Sequence, residues 1–321
     1  MLKRALGFSG LAAAALLLAG CGDGSAGQAE AGSQETQSVT HAQGTTEIPA
    51  NPSRVAVFDL SALDTLDALG VEVAGVAGDN FPPYLSKFQG NEYPKLGTLF
   101  EPDMEALNAL RPDLAITGGR SSAKYQQVAG LVPTIDMRAD NDAPIATAIA
   151  NTRMLAGIFG KTEEAEERIA RLEQSIEQLR SKTANGGRGL VVLTTGGRMS
   201  AYGPGSRFGV IHTDFGVPTA ADGLDTSLHG EAIGSEFIRE RNPDWLFVID
   251  RDAAIGQGDA ARRLLDNALV RQTNAWQRGQ VVYLDPVPWY LVGSGIQSTQ
   301  AMVDEITRAY DGAGNPPAEG Q

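Results

Sequence analysis

A spaced set of residues occurs twice in this 321-residue chain, once in each half. The copies are Glu105, Pro112-Asp113 and Arg120, and, at the same spacings, Glu236, Pro243-Asp244 and Arg251. Between these residues, each copy reads as a helix, a Pro-Asp turn that ends the helix, and an apolar strand. Two copies in register predict two lobes that are built alike and related by a pseudo-twofold axis.

Short apolar strands alternate with amphipathic helical stretches along the body, a pattern typical of mostly parallel sheets. The predicted strands are residues 55–58, 74–77, 114–117, 190–194, 246–249 and 281–284. Residues 143–182 instead carry apolar side chains at helical spacing, which predicts a long helix between the halves. We therefore expect an α/β fold of two lobes with central, mostly parallel sheets, joined by one long backbone helix.

The N-terminus has the pattern of a secretory signal. Lys3 and Arg4 precede an apolar run at 11–18, which is too short to span a bilayer, and small residues lead to Cys21. Because Cys21 is the only cysteine, no intramolecular disulfide can form, and its position resembles the lipobox of bacterial lipoproteins. We expect an exported lipoprotein anchored at Cys21, in the periplasm or on the outer face of the cytoplasmic membrane.

The segment after Cys21 is polar and small, without aromatic residues, and predicts a flexible tether in which His41 is a solvated linker residue. The predicted divisions are 1–20 signal peptide, 21–45 lipidated cysteine and tether, 46–142 N-terminal lobe, 143–184 connecting helix, 185–311 C-terminal lobe and 312–321 disordered tail.

Charge and missing motifs exclude several classes of protein. The chain has 26 basic and 39 acidic residues, a formal charge of −13, which argues against nucleic acid as a partner. It lacks a Gly-x-Ser-x-Gly elbow, a Walker loop, a His-Glu-x-x-His motif and a dinucleotide fingerprint after a strand. Since one of its three histidines lies in the predicted tether, a three-histidine zinc site is excluded from the body. We expect a monomer that is not an enzyme and has no intrinsic cofactor.

Candidate binding residues follow the ends of predicted strands or lie in loops. Arg120 and Arg251 follow the carboxyl ends of their strands, where open α/β sheets bind ligands. Arg207, His229 and Tyr290 lie in segments punctuated by Gly and Pro, where binding residues concentrate. His212 is read as structural or exposed.

Three segments of the second half, at 203–209, 242–251 and 285–290, resemble ferric-siderophore-binding lipoproteins of ABC importers. These are class III substrate-binding proteins, and the resemblance is to their catecholate, petrobactin-type branch. It implies that Arg120, Arg207 and Arg251 contact an anionic catecholate and that His229 and Tyr290 ligate its Fe³⁺. It also implies that Glu105 and Glu236 dock on the permease.

The chemistry of such a site is consistent, because Fe³⁺ prefers charged oxygen donors and accepts imidazole. A chelator with four catecholate oxygens leaves two iron positions open, which one His and one Tyr would fill. The alternatives are a haem, corrinoid or hydroxamate-siderophore binding protein on the same scaffold, a surface adhesin or scaffold lipoprotein, and a metal-dependent enzyme.

Overall fold

Two main sheets follow each other along the chain in the computed structural model, which describes residues 35–254 and 260–312. The strands are β1 (Thr36–His41), β2 (Gly44–Pro49), β3 (Val55–Val57), β4 (Gly75–Val76), β5 (Leu114–Thr117), β6 (Thr134–Asp136), β7 (Gly189–Thr195), β8 (Arg198–Tyr202), β9 (Glu231–Ile233), β10 (Trp245–Asp250) and β11 (Val281–Leu284). The α-helices are α1 (Leu60–Ala68), α2 (Met104–Leu110), α3 (Tyr125–Ala129), α4 (Pro144–Phe159), α5 (Thr162–Thr183), α6 (Val210–Thr213), α7 (Ser235–Arg241), α8 (Arg251–Ala254), α9 (Ala260–Leu265), α10 (Asn274–Gln277) and α11 (Ile296–Gly312).

The first sheet has the order β4-β3-β5-β6, and all its strand pairs are parallel. The second sheet has the order β11-β10-β7-β8-β9, in which β11, β10 and β7 are parallel while β8 and β9 are added antiparallel. The expected α/β fold with mostly parallel sheets is confirmed. All six predicted strands are present, whereas β1, β2, β6, β8 and β9 were not predicted.

The two copies of the repeated set have the same local structure. Each helix of the repeat, α2 and α7, has seven residues and ends at a residue in the left-handed conformation directly before the proline. These residues, Arg111 at φ 50° and Asn242 at φ 43°, are the non-glycine residues with positive φ in the described part of the chain. Since proline disfavours helical backbone in the residue before it, the left-handed residue lets the chain leave the helix in a single step.

The aspartate of each Pro-Asp turn precedes one strand and accepts a hydrogen bond from the residue before the neighbouring strand. Asp113 accepts a hydrogen bond from the Arg54 backbone N–H at 2.9 Å, directly before β3. Asp244 accepts one from the Arg188 backbone N–H at 3.0 Å, directly before β7. The same residue type therefore aligns the central strands of both sheets at their amino ends.

The helical stretch between the halves is divided into α4 and α5 rather than continuous. Gly160 ends α4 in the left-handed conformation, at φ 65°, and its N–H bonds the Ala156 carbonyl. Glycine adopts this conformation at little cost, so the chain turns there before α5 begins. The region predicted as one connecting helix, 143–184, thus has a bend that helical spacing alone does not reveal.

The last helix leaves the second sheet and packs against α1, α4 and α5. Asp64 of α1 accepts backbone N–H groups from Gln297 at 2.8 Å and Ser298 at 3.0 Å, and the Tyr84 hydroxyl at 2.7 Å. Asp64 therefore satisfies the free N–H groups that open α11. Burial raises the pKa of Asp64 to about 6. The sequence assigned this helix to the C-terminal lobe. Its amino end is bound by α1 of the first lobe, while Tyr310 near its carboxyl end stacks on Trp245 of β10.

The predicted tether is corrected over its last residues, because 36–45 belong to a β1–β2 hairpin. Val39 and Ile48 are buried, and the Thr46 hydroxyl donates to the Thr134 carbonyl of β6 at 3.0 Å. Composition concealed these strands, since they are rich in threonine and serine and hold few apolar residues. The signal peptide, Cys21 and residues 313–321 lie outside the described residues.

His41 is likewise not a solvated linker residue. Its Nε2 lies 2.9 Å from the Thr46 hydroxyl, and its Nδ1 accepts the Asp136 backbone N–H at 3.2 Å. Burial lowers the pKa of His41, partly offset by the charge of Asp136. His41 therefore attaches the hairpin to the edge of the first sheet. Across the described ranges, no helix combines the length and apolarity needed to cross a bilayer.

Candidate functional site

Four of the five predicted ligand-binding residues meet where the two lobes face each other. Arg120 lies in the 3₁₀ helix Gly119–Lys124 after β5, and Arg251 begins α8 directly after β10. Both therefore lie at the carboxyl ends of central parallel strands. Arg207 lies in the loop between β8 and α6, and Tyr290 lies in the one-turn π-helix Val287–Val292.

The three arginines, here called the arginine cluster, all bond to the turn that carries Tyr290. Arg120 Nη2 and Arg207 Nη2 donate to the Tyr290 carbonyl at 2.8 and 3.1 Å. Arg251 Nε donates to the Tyr290 hydroxyl at 2.9 Å, and Arg120 Nη1 donates to the Leu291 carbonyl at 2.9 Å. Their guanidinium carbons lie 5.5, 4.5 and 5.8 Å from the centre of the Tyr290 ring for Arg120, Arg207 and Arg251.

Positive charge dominates this place in an otherwise acidic chain. Burial acts to raise the pKa of the Tyr290 phenol, but the hydrogen bond from Arg251 and the charges of the arginine cluster outweigh it and hold that pKa below its usual value. Burial, with the charge of Arg120, lowers the pKa of Arg207. Guanidinium groups that converge in this way present planar pairs of donors to anionic oxygens.

Three residues that were not predicted from the sequence interact with arginines of the cluster. Asp59, which follows β3, is half-buried, accepts the Ala62 backbone N–H at 2.9 Å, and interacts electrostatically with Arg120. Burial raises the pKa of Asp59, and the charge of Arg120 counteracts the shift. On the other lobe, Arg251 Nη1 lies 3.4 Å from the Thr195 hydroxyl and 3.8 Å from Asp252 Oδ1. An acidic residue directly after a strand was the available signal.

A half-buried carboxylate holds the turn that carries Tyr290. Glu305 of α11 accepts the Trp289 indole N–H at 2.7 Å and the Asp285 backbone N–H at 2.9 Å. Trp289 is buried and meets the Phe215 ring edge-on, so it packs in the core and does not line an open cleft. Glu305 therefore ties residues 285 and 289, at the start and in the middle of this turn, to the last helix.

The structure does not bring His229 to this cluster. His229 is exposed, and among residues 35–254 and 260–312 no hydrogen bond or ring contact joins it to Tyr290. The neighbouring Leu228 carbonyl accepts the Tyr202 hydroxyl at 3.3 Å, which anchors the turn close to β8. His212 has a structural contact instead, with Nδ1 2.9 Å from the Val217 carbonyl.

The paired glutamates occupy matching exposed positions. Glu105 and Glu236 each lie in the first turn of their helix, α2 and α7 respectively. Within the part of the chain that the structure describes, no group of three or more His, Cys, Asp or Glu side chains is arranged to hold a metal ion.

Comparison with known proteins gives consistent relatives. The family model of the periplasmic binding proteins matches residues 55–288. The petrobactin-binding protein YclQ of Bacillus subtilis is 38% identical over 265 residues, which cover 81% of this chain and 83% of YclQ. Its crystal structure has a TM-score of 0.83 and covers 86% of this chain and 99% of its own.

Two further relatives come from vibrios. The ferric-anguibactin-binding protein FatB of Vibrio anguillarum is 33% identical, with 85% of this chain and 87% of FatB covered. The structure of the periplasmic catecholate-siderophore binding protein VctP of Vibrio cholerae has a TM-score of 0.82 at 32% identity, covering 85% of this chain and 100% of VctP. The resemblance drawn from the sequence is confirmed, and this chain belongs to the periplasmic binding protein family.

Proposed function

We propose that this protein captures an anionic ferric catecholate siderophore and delivers it to an ABC-type importer, without covalent chemistry. The observation that carries the proposal is the arginine cluster. Arg120 of the first lobe and Arg207 and Arg251 of the second meet at one tyrosine. A small anion bound here would contact both lobes at once and hold them together.

The names of the relatives support the ligand class. YclQ is described as binding petrobactin, FatB ferric anguibactin and VctP a catecholate siderophore. A ferric complex of a catecholate carries net negative charge on oxygen, and three guanidinium groups match that charge.

The two iron ligands have different starting points in this proposal. The Tyr290 phenol already lies among cations that favour its ionised form, the form that binds Fe³⁺ through oxygen. His229 is exposed on its turn and would have to approach the cluster when the chelate arrives. A tetradentate chelate offers both residues a vacant iron position, whereas a hexadentate chelate offers neither.

Anchoring and delivery complete the proposal. A lipid on Cys21 would keep the monomer at a membrane surface, in the periplasm or on the outer face of the cytoplasmic membrane. Glu105 and Glu236, one exposed on each lobe, would pair with basic residues of the permease.

A fluorescence-quenching titration of the full chain tests the ligand class. The ligands are a ferric tetradentate catecholate, a ferric hydroxamate, haem and cobalamin, and tryptophan emission is read. We expect tight binding of the catecholate alone, with a shift of its ligand-to-metal charge-transfer band. A response to haem or cobalamin without one to the catecholate would overturn the proposal.

A further inference from the structure

A cavity beside the arginine cluster has a different chemistry from the cluster itself. It measures about 140 Å³ and is walled by Leu60, Leu99, Phe100 and Leu291, with Asp79 and Asn80 at its polar side. Part of its lining comes from the start of α1, which follows β3, and from residues 78–80, which follow β4, so it opens at the carboxyl edge of the first sheet.

The cavity and the cluster share one wall. Leu291 lines the cavity, and its carbonyl accepts Arg120 Nη1 at 2.9 Å. On the other side, Asn80 Nδ2 donates to the Ala254 carbonyl of the second lobe at 3.4 Å. A ligand that contacts Arg120 therefore has this cavity as its immediate neighbour.

Phe100 is exposed at the cavity yet held in a fixed turn. Its side chain is 60% exposed, although large apolar side chains are usually buried. The Thr98 hydroxyl accepts the backbone N–H groups of Phe100 at 3.3 Å and Glu101 at 3.0 Å, which closes the turn. The Glu101 carboxylate pairs at 2.8 Å with Lys124, at the end of the 3₁₀ helix that carries Arg120. Phe100 is thereby attached to the same local framework as the arginine.

We propose that this cavity is a subsite for one uncharged ring, or an apolar group of similar size, that the siderophore carries beside its iron-binding oxygens. This inference rests on the proposed function. An apolar cavity of roughly 150 Å³ accommodates a single benzene ring, so the volume suits one ring. Phe100 offers its face or edge to that ring. The exposed Asp79 carboxylate at the polar side disfavours an anionic group there. The anionic oxygens of the ligand would therefore bind at the arginine cluster and its uncharged ring in the cavity.

The test compares two ferric bis-catecholates that differ at one position of the linker, which carries a phenyl group or a carboxylate. Affinities are measured by titration of the full chain as wild type, Phe100→Ser and Leu131→Ser. Leu131 is a matched control, since it is 53% exposed and precedes β6, at the opposite edge of the same sheet.

We expect wild type and Leu131→Ser to bind the phenyl chelate roughly tenfold more tightly than the carboxylate chelate. Phe100→Ser should lose most of that preference, through weaker binding of the phenyl chelate. Equal affinities of wild type for the two chelates, or an unchanged preference in Phe100→Ser, would overturn the subsite alone. Absence of binding of either chelate to wild type would overturn the proposed function, and the subsite with it.

Discussion

The two lobes share a scaffold but contribute unequally to the site. Each has a parallel core, a seven-residue helix that ends in a left-handed residue, and an arginine after its central strand. Of the arginine cluster and the tyrosine that it surrounds, the first lobe supplies Arg120, whereas the second supplies Arg207, Arg251 and Tyr290. The difference arises where the second sheet is extended by β8 and β9, and in the turn before α11.

This contrast separates the residues that both lobes share through the repeat from the residues that only the second lobe contributes. The repeated residues give two opposed cations and two matched exposed carboxylates. The antiparallel extension brings the loop with Arg207 and the turn with His229. A symmetric scaffold can therefore form a binding site whose two sides differ, which suits an asymmetric ligand.

Loss of the repeated arginines tests the symmetric part and should have the largest effect. Arg120→Ala and Arg251→Ala should each weaken binding of the ferric catecholate by about 2–5 kcal/mol, because a partly desolvated anion loses a charged partner. Titration measures both affinities, with Arg198→Ala, an exposed arginine on β8, as control. A loss confined to Arg251→Ala would show that the second lobe binds alone.

The attachment of α11 to the first lobe predicts a pH dependence of stability. Asp64 has a pKa of about 6 in the folded protein against an ordinary value of 3.8, so the folded state binds more protons than the unfolded chain between these pH values. Its contribution to the free energy of unfolding is therefore greatest below pH 4 and falls by about 3 kcal/mol as pH rises through 6.

Urea unfolding at several pH values measures this contribution. Asp64→Asn should remove that fall. Asp67→Asn should keep most of it, because Asp67, which pairs with Lys87 at 2.7 Å, is the smallest of the causes that act on the Asp64 pKa. The same pH profile in wild type and Asp64→Asn would contradict the assignment.

The equivalent Pro-Asp turns should contribute alike to stability. Asp113→Ala and Asp244→Ala each remove an acceptor from backbone N–H groups at the start of a central strand. We expect a loss of about 2 kcal/mol for each, the usual size for a hydrogen bond to a charged group. Denaturation midpoints measure both, with the exposed Asp222→Ala as control. A large loss in one lobe alone would mean that the matching geometry conceals unequal roles.

Loss of either proposed iron ligand of the second lobe should have the smallest and most selective effect. Tyr290→Phe should weaken a tetradentate ferric catecholate about tenfold, or about 1.4 kcal/mol, and leave a hexadentate one nearly unchanged. His229→Ala should show the same selectivity if its turn moves to the iron. Equal losses for the two chelates would exclude direct ligation.

Much of the scaffold could be predicted from the sequence because its signals are local. The predicted strands at 114–117 and 281–284 coincide with β5 and β11, since each is an apolar run bounded by turn residues. The polar hairpin of β1 and β2 was missed because its stability comes from pairing and from contacts with β6. A Gly-Gly turn at 196–197 was an available signal for β8.

The site was predictable in part for the same reason. Arg120 and Arg251 follow their strands, so their positions at the sheet edge came from the repeat. That Arg207 and Tyr290 join them depends on contacts between residues 83 positions apart, which no spacing encodes. The position of Asp59 directly after a strand was a signal, but neither its interaction with Arg120 nor the contacts of Glu305 with the Tyr290 turn follow from the sequence pattern.

The return of α11 to α1 has a consequence for the order in which the protein can fold. Thr65 and Asp64 of the first lobe bond backbone groups about 230 residues further along the chain. A chain synthesised from its N-terminus thus has an incomplete first lobe until its final helix has been made. Until then the Asp64 carboxylate, which is buried in the folded protein, remains exposed to water. N-terminal domains usually fold first, as independent units. In this protein, by contrast, the first lobe can be completed only after the whole second lobe has been synthesised.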